Sequence, residues 1–596
     1  MFYRIIAMEL IILRFKKLKS CHILTFLGSL LALSAFILPI INPDLFWHLS
    51  AGRYIINNLA VPQTDFLSWS MQGAQWFDFE WLVQIFYYLI FKNFSFMGLF
   101  IFKFLILSGV LYLFYKIIEL YKLKKLSFIV LPLVAAALIT NSDLRPENFT
   151  ILFFTALILV LERARLNIID LRKPFFYLKL FLFFVLWVNL HAGYVYGSVL
   201  VFFYWLGELF EEALPWVYGR EKKIKVIKSK YYLAAFALSF SASFINPYGY
   251  KIFSVMANHH KYLAVLQEYI NEWQPFYLTN IYQWPYIIIF VCSFLAIIYK
   301  FIKSKDIPHV HIISMLFFAY SSSNYARHSP FFTLVAITFL LSSISNVNFK
   351  SFKRGYKWLM GILAITLLLS YYALFVWSQY GSIVNFKNSS DSAISFLKKN
   401  SNELKDLKMF NYWGWGGYLG FNLYPEYKIF IDGRYIFHSF LDEIENCRTN
   451  LQTWNKFLAK YGFDMIILER ESVKIMIKHK KKKGGHLMLG RPAYLLYLPK
   501  KNWAVAHWDK KSVVLLRRKV IDTKWLNDHE YKLLRPEDTE NLAVMAIKGD
   551  IKFSAIEKEV ELYLKNNDAG LKNSLNGNIK QWWKNLSHFD KSKEYK

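Results

Sequence analysis

The sequence predicts an α-helical integral membrane bundle of about eleven spans, followed by an extracytoplasmic α/β domain. Three observations predict it. The 596 residues are 55% hydrophobic and 19% aromatic, with a mean hydropathy of +0.25, and soluble domains rarely combine that length with that apolar content. The connections between apolar runs sort into one set packed with Lys and Arg and another nearly free of them. Cytoplasmic loops retain cations, so the first set faces the cytoplasm and the second the outside. From about residue 380 the apolar runs shorten to strand length and charge appears on both sides of them.

A span needs roughly 20 mostly apolar residues, fewer inside a bundle. The candidates run near 22–41, 97–117, 127–141, 149–162, 174–190, 197–214, 231–246, 284–302, 309–322, 330–346 and 358–378. Basic connections occur at 14–19, 116–125, 163–173, 220–230, 300–305 and 350–357, and an inside N-terminus places all of them inside. The odd span count leaves the C-terminal third outside, so the chain reads as a multi-pass protein of the cell (inner) membrane. Residues 79–94 are apolar enough for a further span, but counting it would invert every later loop. Their Trp and Tyr content suits a helix lying in the membrane interface. The first segment resembles a signal peptide, yet its apolar run is long and Ile-Leu-Pro-Ile-Ile-Asn-Pro offers no small-x-small cleavage pattern, so it reads as an anchor.

The organisation is therefore a membrane domain over 1–380, with a first outer loop over 42–96, then an α/β domain over 381–525 and a polar helical tail over 526–596. Strands are expected at Tyr427-Lys-Ile-Phe-Ile-Asp432, Phe463 to Arg470 and Ser512 to Arg517, with helices at 391–400 and 451–461 between them. The net charge of +30 lies largely in short segments abutting apolar runs, where it orients the chain against membrane lipids. No basic stripe with a recognition module appears, which excludes nucleic acid as a partner. Cys21, Cys292 and Cys447 define no disulfide framework.

Every unusual polar motif lies in the outer set of loops. Asn42-Pro-Asp44-Leu-Phe-Trp47-His48 follows the first span directly, and on a helix Asp44 and His48 share one face. Asp65, Asp78 and Glu80 follow, giving four acidic residues and five Trp or His side chains in under forty positions. The tryptophans read as interfacial anchors. Asp44 either caps a helix or acts chemically, and a carboxylate beside hydrocarbon is costly unless partnered or used. Arg145-Pro-Glu147 is either a local ion pair pinning a helix start or an anion site, and Arg327-His328 adds two adjacent potential cations. Asn189-Leu-His191-Ala-Gly193 and Asn246-Pro-Tyr-Gly249 read mainly as helix ends, with His191 the exception to watch. Trp413-Gly-Trp-Gly-Gly-Tyr418 lacks the Lys-Ser/Thr of a phosphate loop and could stack on sugar faces or make a tight turn. Asp432-Gly-Arg434 ends an expected strand, where turn chemistry is the default. Lys478 to Lys483 and the following Gly-Gly read as a solvated loop, with contact to anionic lipid as the alternative.

Together these motifs resemble a family of bacterial polytopic proteins classed with lipid-linked-sugar glycosyltransferases of the GT-C fold. The resemblance rests on Asp44-x-x-Trp47-His48-x-x-x-Gly52, Val61-Pro62-x-x-Asp65-x-x-Ser68 and Trp76-x-x-x-Glu80-Trp81-Leu82. It continues through Arg145-Pro-Glu147, Asn189-x-His191-Ala-Gly193, Asn246-Pro-x-Gly249 and Glu272-Trp273-x-Pro275, and ends at Trp413 to Leu419 and Phe430 to Arg434. It covers roughly residues 40–520 and implies fold and reaction type more closely than substrate. In such enzymes an early acidic residue of the first outer loop is the catalytic base or holds a metal, and Asp44 is the matching position. Many relatives carry Asp two residues earlier, where this chain has Asn42; that departure weakens a carboxylate-pair metal site, leaving a divalent metal open and no cofactor certain.

The resemblance implies transfer of a sugar from a polyprenyl-phosphate donor to a lipid, glycan or protein acceptor, with inversion. Asp44 and His48 are then the catalytic candidates. Arg145, Arg327 and His328 are candidates for the donor phosphate, since Arg presents two parallel donors to phosphate and stays charged near lipid. Asp65, Asp78, Glu80, Glu147, His191, Trp413, Asp432 and Arg434 are candidates for lining the site. The rival readings are a transporter or flippase for a lipid-linked glycan, which should show charges within its spans, broken helices in paired positions or a two-fold repeat, and a non-catalytic envelope assembly protein. The sequence offers no clear charge within a span.

Overall fold

A computed structural model describes residues 20–217, 227–277, 279–303, 308–345, 354–386, 391–470, 473–480, 486–567 and 574–594. The basic clusters at 14–19, 220–226, 304–305, 350–353 and 481–483 lie outside the described residues. The chain divides into two compact units. One comprises 1–42, 51–61 and 77–385; the other comprises 43–50, 62–76 and 386–596.

The first unit is helical. Glu147–Arg165 shows why such segments form: an acidic residue opens its first turn, Arg163 and Arg165 close its last, and both complement the helix dipole. Pro174 opens Pro174–Leu190 at a position where its missing N–H costs nothing, and the chain leaves that helix in extended conformation at His191. Phe175, Leu178, Leu182 and Leu186 recur at helical spacing on its exposed face, the pattern of a helix that meets hydrocarbon. Inside the unit, Phe114, Phe154, Trp187, Tyr204, Phe318 and Phe331 belong to one buried core.

Four described helices are long and apolar enough to cross a membrane: Trp81–Leu120, Trp284–Ile302, Ala326–Ser345 and Gly361–Gln379; Ile23–Ser34 and Pro174–Leu190 are shorter apolar helices. The eleven expected spans are thus not all matched by helices of spanning length. Ser127–Ala137 has only 11 residues and runs through Leu138 into a 3₁₀ turn at Ile139–Asn141. The segment expected to lie in the interface, 79–94, is the first part of Trp81–Leu120, which breaks at Ser95 where φ is +53°.

Charges do occur within apolar helices, contrary to the sequence reading. Lys103 is fully buried and donates to the Leu38 carbonyl. Glu162 is fully buried, accepts from the hydroxyls of Tyr121 and Tyr204, and lies 3.0 Å from His311 Nε2. Patterning by hydropathy averages such residues away, and local partners make them tolerable.

The second unit carries a four-stranded sheet in the order β1-β2-β6-β5 and a separate hairpin β3-β4, where β1 is Met409–Phe410, β2 Met465–Glu469, β3 Lys474–Lys480, β4 His486–Pro492, β5 Trp503–Trp508 and β6 Ser512–Arg517. β1 and β2 are parallel; β2–β6 and β6–β5 are antiparallel, with Ile466 opposite Leu515 and a bulge between Val505 and His507. β5 is buried along its whole length and β6 along all but its last residue, so this sheet is covered on both faces. Helices Asp391–Lys399 and Leu451–Tyr461 stand where the sequence reading put them.

Two expectations for this unit need correcting. No strand forms at 427–432; Ile429 makes a single parallel bridge to Ser68. The Asn411 side chain accepts from Phe430 N–H at 2.8 Å and donates to the Ile431 carbonyl at 2.7 Å, so a side chain takes the ladder's place. Lys478 to Lys480, read as loop, belong to β3, because the Lys-rich end conceals the apolar run Ile475-Met-Ile477 before it.

Candidate functional site

The candidate residues form two groups, one in each unit. In the helical unit, Arg145 follows Leu144 into the start of Glu147–Arg165, and Arg327 lies on the 3₁₀ turn Ala326–His328 before Ser329–Ser345. Arg145 pairs with Glu272, on the 3₁₀ turn Asn271–Trp273. Arg327 reaches both acids: Nη1 is 3.7 Å from Glu272 Oε1 and Nη2 is 3.8 Å from Glu147 Oε2. Its guanidinium lies 4.6 Å over the Trp273 ring, a favourable cation–π contact. Burial pushes the Glu272 carboxyl up, but the Arg145 and Arg327 charges outweigh it and hold it below the ordinary carboxylate range.

His328 Nε2 lies 2.5 Å from the Tyr196 hydroxyl and Nδ1 2.7 Å from Ser321 Oγ, which fixes the ring beside the arginine pair. His191 Nδ1 accepts from Gly193 N–H at 3.0 Å and lies 2.8 Å from Thr150 Oγ1. That assigns the ring proton to Nε2, which faces Glu80 Oε1 at 3.5 Å. Burial, helped by the Arg327 charge, pushes His191 down to about 3, so the imidazole is neutral and acts as a donor. Gly193 cannot carry a side chain here: an added Cβ would lie 2.4 Å from Thr150 Oγ1. Asp78 accepts from Gln84 Nε2, and its own N–H donates to the Tyr248 hydroxyl at 2.9 Å. Next to Glu80, Trp81 donates to Asn189 Oδ1 at 3.0 Å. Both line an apolar groove of about 680 Å³ with Leu182, Leu186, Ile245 and Pro247.

In the second unit, Asp44 stands immediately before helix Leu45–Asn58, and its carbonyl accepts from the N–H groups of Trp47 and His48. Its carboxylate is half-buried and lies against Gly433, where an added Cβ would come within 2.0 Å of Oδ1. His48 is buried one turn behind, its ring 3.6 Å from that of Trp47. Trp413-Gly-Trp-Gly-Gly-Tyr418 is neither a loop nor a tight turn; it is the start of helix Trp413–Leu423. Gly416 lets that helix sit directly on the backbone before Asp432, since a Cβ there would meet the Ile431 carbonyl oxygen at 1.8 Å. The Trp413 ring stacks on His438.

Asp65, Asp432 and Arg434 form one buried triad. Arg434 Nη1 is 2.7 Å from Asp65 Oδ1, Nε is 2.9 Å from Asp432 Oδ2, and the guanidinium lies 4.6 Å over the Trp76 ring. Asp65 also accepts from Leu67 N–H, Ser68 N–H and the Ser68 hydroxyl. With every member almost wholly buried, the triad is arranged to hold the fold rather than to meet a ligand.

Among the described residues no group of three His, Cys, Asp or Glu side chains is placed to hold a metal ion. The sequence reading placed Glu272 and Trp273 in a motif without giving either a role, and passed over Tyr196 and Thr150. The available signal was charge balance, since Arg145 and Arg327 need counter-ions near lipid.

No described protein family and no curated protein matches this chain. Among solved structures, the apo oligosaccharyltransferase of Archaeoglobus fulgidus is similar to it with a TM-score of 0.52 at 11% identity, over 80% of this chain and 75% of that one. The same enzyme tethered to an acceptor peptide containing the NVT sequon is similar with a TM-score of 0.51 at 11% identity, over 80% and 74%. At that identity the likeness is one of fold alone: a helical unit with a C-terminal α/β region.

Proposed function

We propose that this chain is a membrane glycosyltransferase that moves a sugar from a polyprenyl-phosphate donor to an acceptor hydroxyl or amine on the extracytoplasmic side, with inversion. The observation that carries the reading is the convergence of Arg145 and Arg327 on one half-buried carboxylate, within a fold shared with an oligosaccharyltransferase. Two guanidiniums at the ends of apolar helices suit a lipid phosphate. The apolar groove beside Trp81 suits a hydrocarbon chain.

The chemistry balances simply. The acceptor oxygen or nitrogen forms a bond to the sugar's anomeric carbon as the bond from that carbon to the phosphate oxygen breaks. The electron pair leaves on the phosphate, whose charge Arg145 and Arg327 hold, and the acceptor proton passes to Asp44. His48, behind Asp44, supports the helical turn that presents it. His328, held by Tyr196 and Ser321, and neutral His191, whose Nε2 faces Glu80, position their turns and add no charge.

The test is transfer of labelled sugar from polyprenyl phosphate by the purified protein in nanodiscs, offered lipid, glycan and peptide acceptors. Transfer to none of them, with movement of lipid-linked glycan across proteoliposomes, would favour the transporter reading.

Orientation is tested separately. A reporter active only in the cytoplasm should work when fused after Lys230 and stay silent after Asn400. The reverse pattern would place the α/β unit in the cytoplasm and end the extracytoplasmic assignment.

A further inference from the structure

Glu272 holds the arginine pair in an unusual way. One carboxylate oxygen goes to each guanidinium: Oε2 to Arg145, and Oε1 to Arg327 at 3.7 Å. A phosphate would offer the same two guanidiniums the same pair of anionic oxygens. The two acids of the cluster differ in how firmly they are held. Glu147 is on the first turn of a 19-residue helix with its side chain 8% exposed, whereas Glu272 is on a three-residue 3₁₀ turn with its side chain 33% exposed. Glu147 can therefore remain as the permanent counter-ion of Arg327 while Glu272 swings into solvent. Charge requires that one acid leave. Two arginines and two glutamates already cancel, so a phosphate added to that set gains no net attraction until an acid leaves. Trp273, stacked under Arg327, keeps that guanidinium in place when its neighbour moves.

We infer that Glu272 is an internal competitor of the phosphate, occupying Arg145 and Arg327 through the same two contacts a lipid phosphate makes and yielding them on binding. The inference rests on the reading of these arginines as the phosphate site, and it gives that site a built-in threshold. Weak anions fail to displace Glu272, while a phosphate delivered by a membrane-anchored chain succeeds.

The experiment is equilibrium binding of farnesyl phosphate, and in parallel of inorganic phosphate, to the full chain in nanodiscs. Glu272→Gln keeps the shape and removes the charge, so both probes should bind about tenfold tighter, the factor that one charge-assisted hydrogen bond is worth. Glu272→Asp, too short to span both guanidiniums, should lie between wild type and Glu272→Gln. Glu268→Gln removes an exposed charge four residues away and should change nothing. A purely structural Glu272 predicts the opposite, weaker binding in both Glu272 variants, and that result overturns the inference. Equal tightening by Glu268→Gln and Glu272→Gln would also overturn it, by reducing the effect to background field. Arg145→Gln and Arg327→Gln separate the two levels of the argument. If they lose binding while Glu272→Gln gains none, the competitor fails and the phosphate site stands. If they bind farnesyl phosphate as wild type does, the phosphate site fails and the competitor with it.

Discussion

Asp44→Asn is expected to abolish sugar transfer while leaving folding and membrane insertion intact. Asn has the shape of Asp but cannot take a proton, and a positioned general base contributes about 10²–10⁴-fold. The geometry around Asp44 favours such a role. Its backbone starts helix Leu45–Asn58, so the residue is held at a fixed point, and the carboxylate is only half-buried. Gly433 leaves the space that Oδ1 occupies, and Gly433→Ala should push the carboxylate aside, because the new methyl would meet Oδ1 at 2.0 Å. The end of a short side chain can move more easily than backbone, so Gly433→Ala should melt near wild type yet lose much of the transfer rate. Gly416→Ala makes the contrast, since it strikes the Ile431 carbonyl and should cost stability first. The measurement is transfer of labelled sugar beside a melting curve for each variant. Full activity in Asp44→Asn, with loss in Glu80→Gln or Asp78→Asn, would move the base to the helical unit.

The parts legible in the sequence were those set by local pattern. Helices Asp391–Lys399 and Leu451–Tyr461 announce themselves by amphipathic spacing, and the latter also by the Asn450 cap and the left-handed Gly462 that stops it. Strands Met465–Glu469 and Ser512–Arg517 are continuous apolar runs between charges. The parts that escaped depend on distant partners. Nothing near Asp432 shows that Arg434 is shared with Asp65, and nothing near Arg145 shows that Glu272 is its partner. Lys103 and Glu162 escaped for a related reason. A lone charge in an apolar run looks like noise until the Leu38 carbonyl or His311 is seen beside it.

The second large effect is expected at Arg434. Removing one partner of a buried ion pair leaves an uncompensated charge and typically costs about 3–5 kcal/mol. Arg434→Met exposes two carboxylates, Asp65 and Asp432, to that penalty at once, with Trp76 losing its cation as well. The pH dependence has a definite sign. Burial raises the Asp432 carboxyl even with Arg434 present, and without the guanidinium it must rise further. A group whose folded value is raised stabilises the fold while protonated and loses that contribution as pH climbs through the folded value. The variant's deficit should therefore be largest at neutral pH and shrink as the solution is acidified toward the raised value. Arg434→Lys should recover only part of the loss, because one ammonium cannot reproduce the forked contact to both acids. Hydrogen exchange in Met465–Glu469 of the full chain at two pH values reads this directly. Wild-type protection in Arg434→Met would show that the triad adds nothing to the α/β unit, and would return Asp432 and Arg434 to the candidates for meeting a ligand.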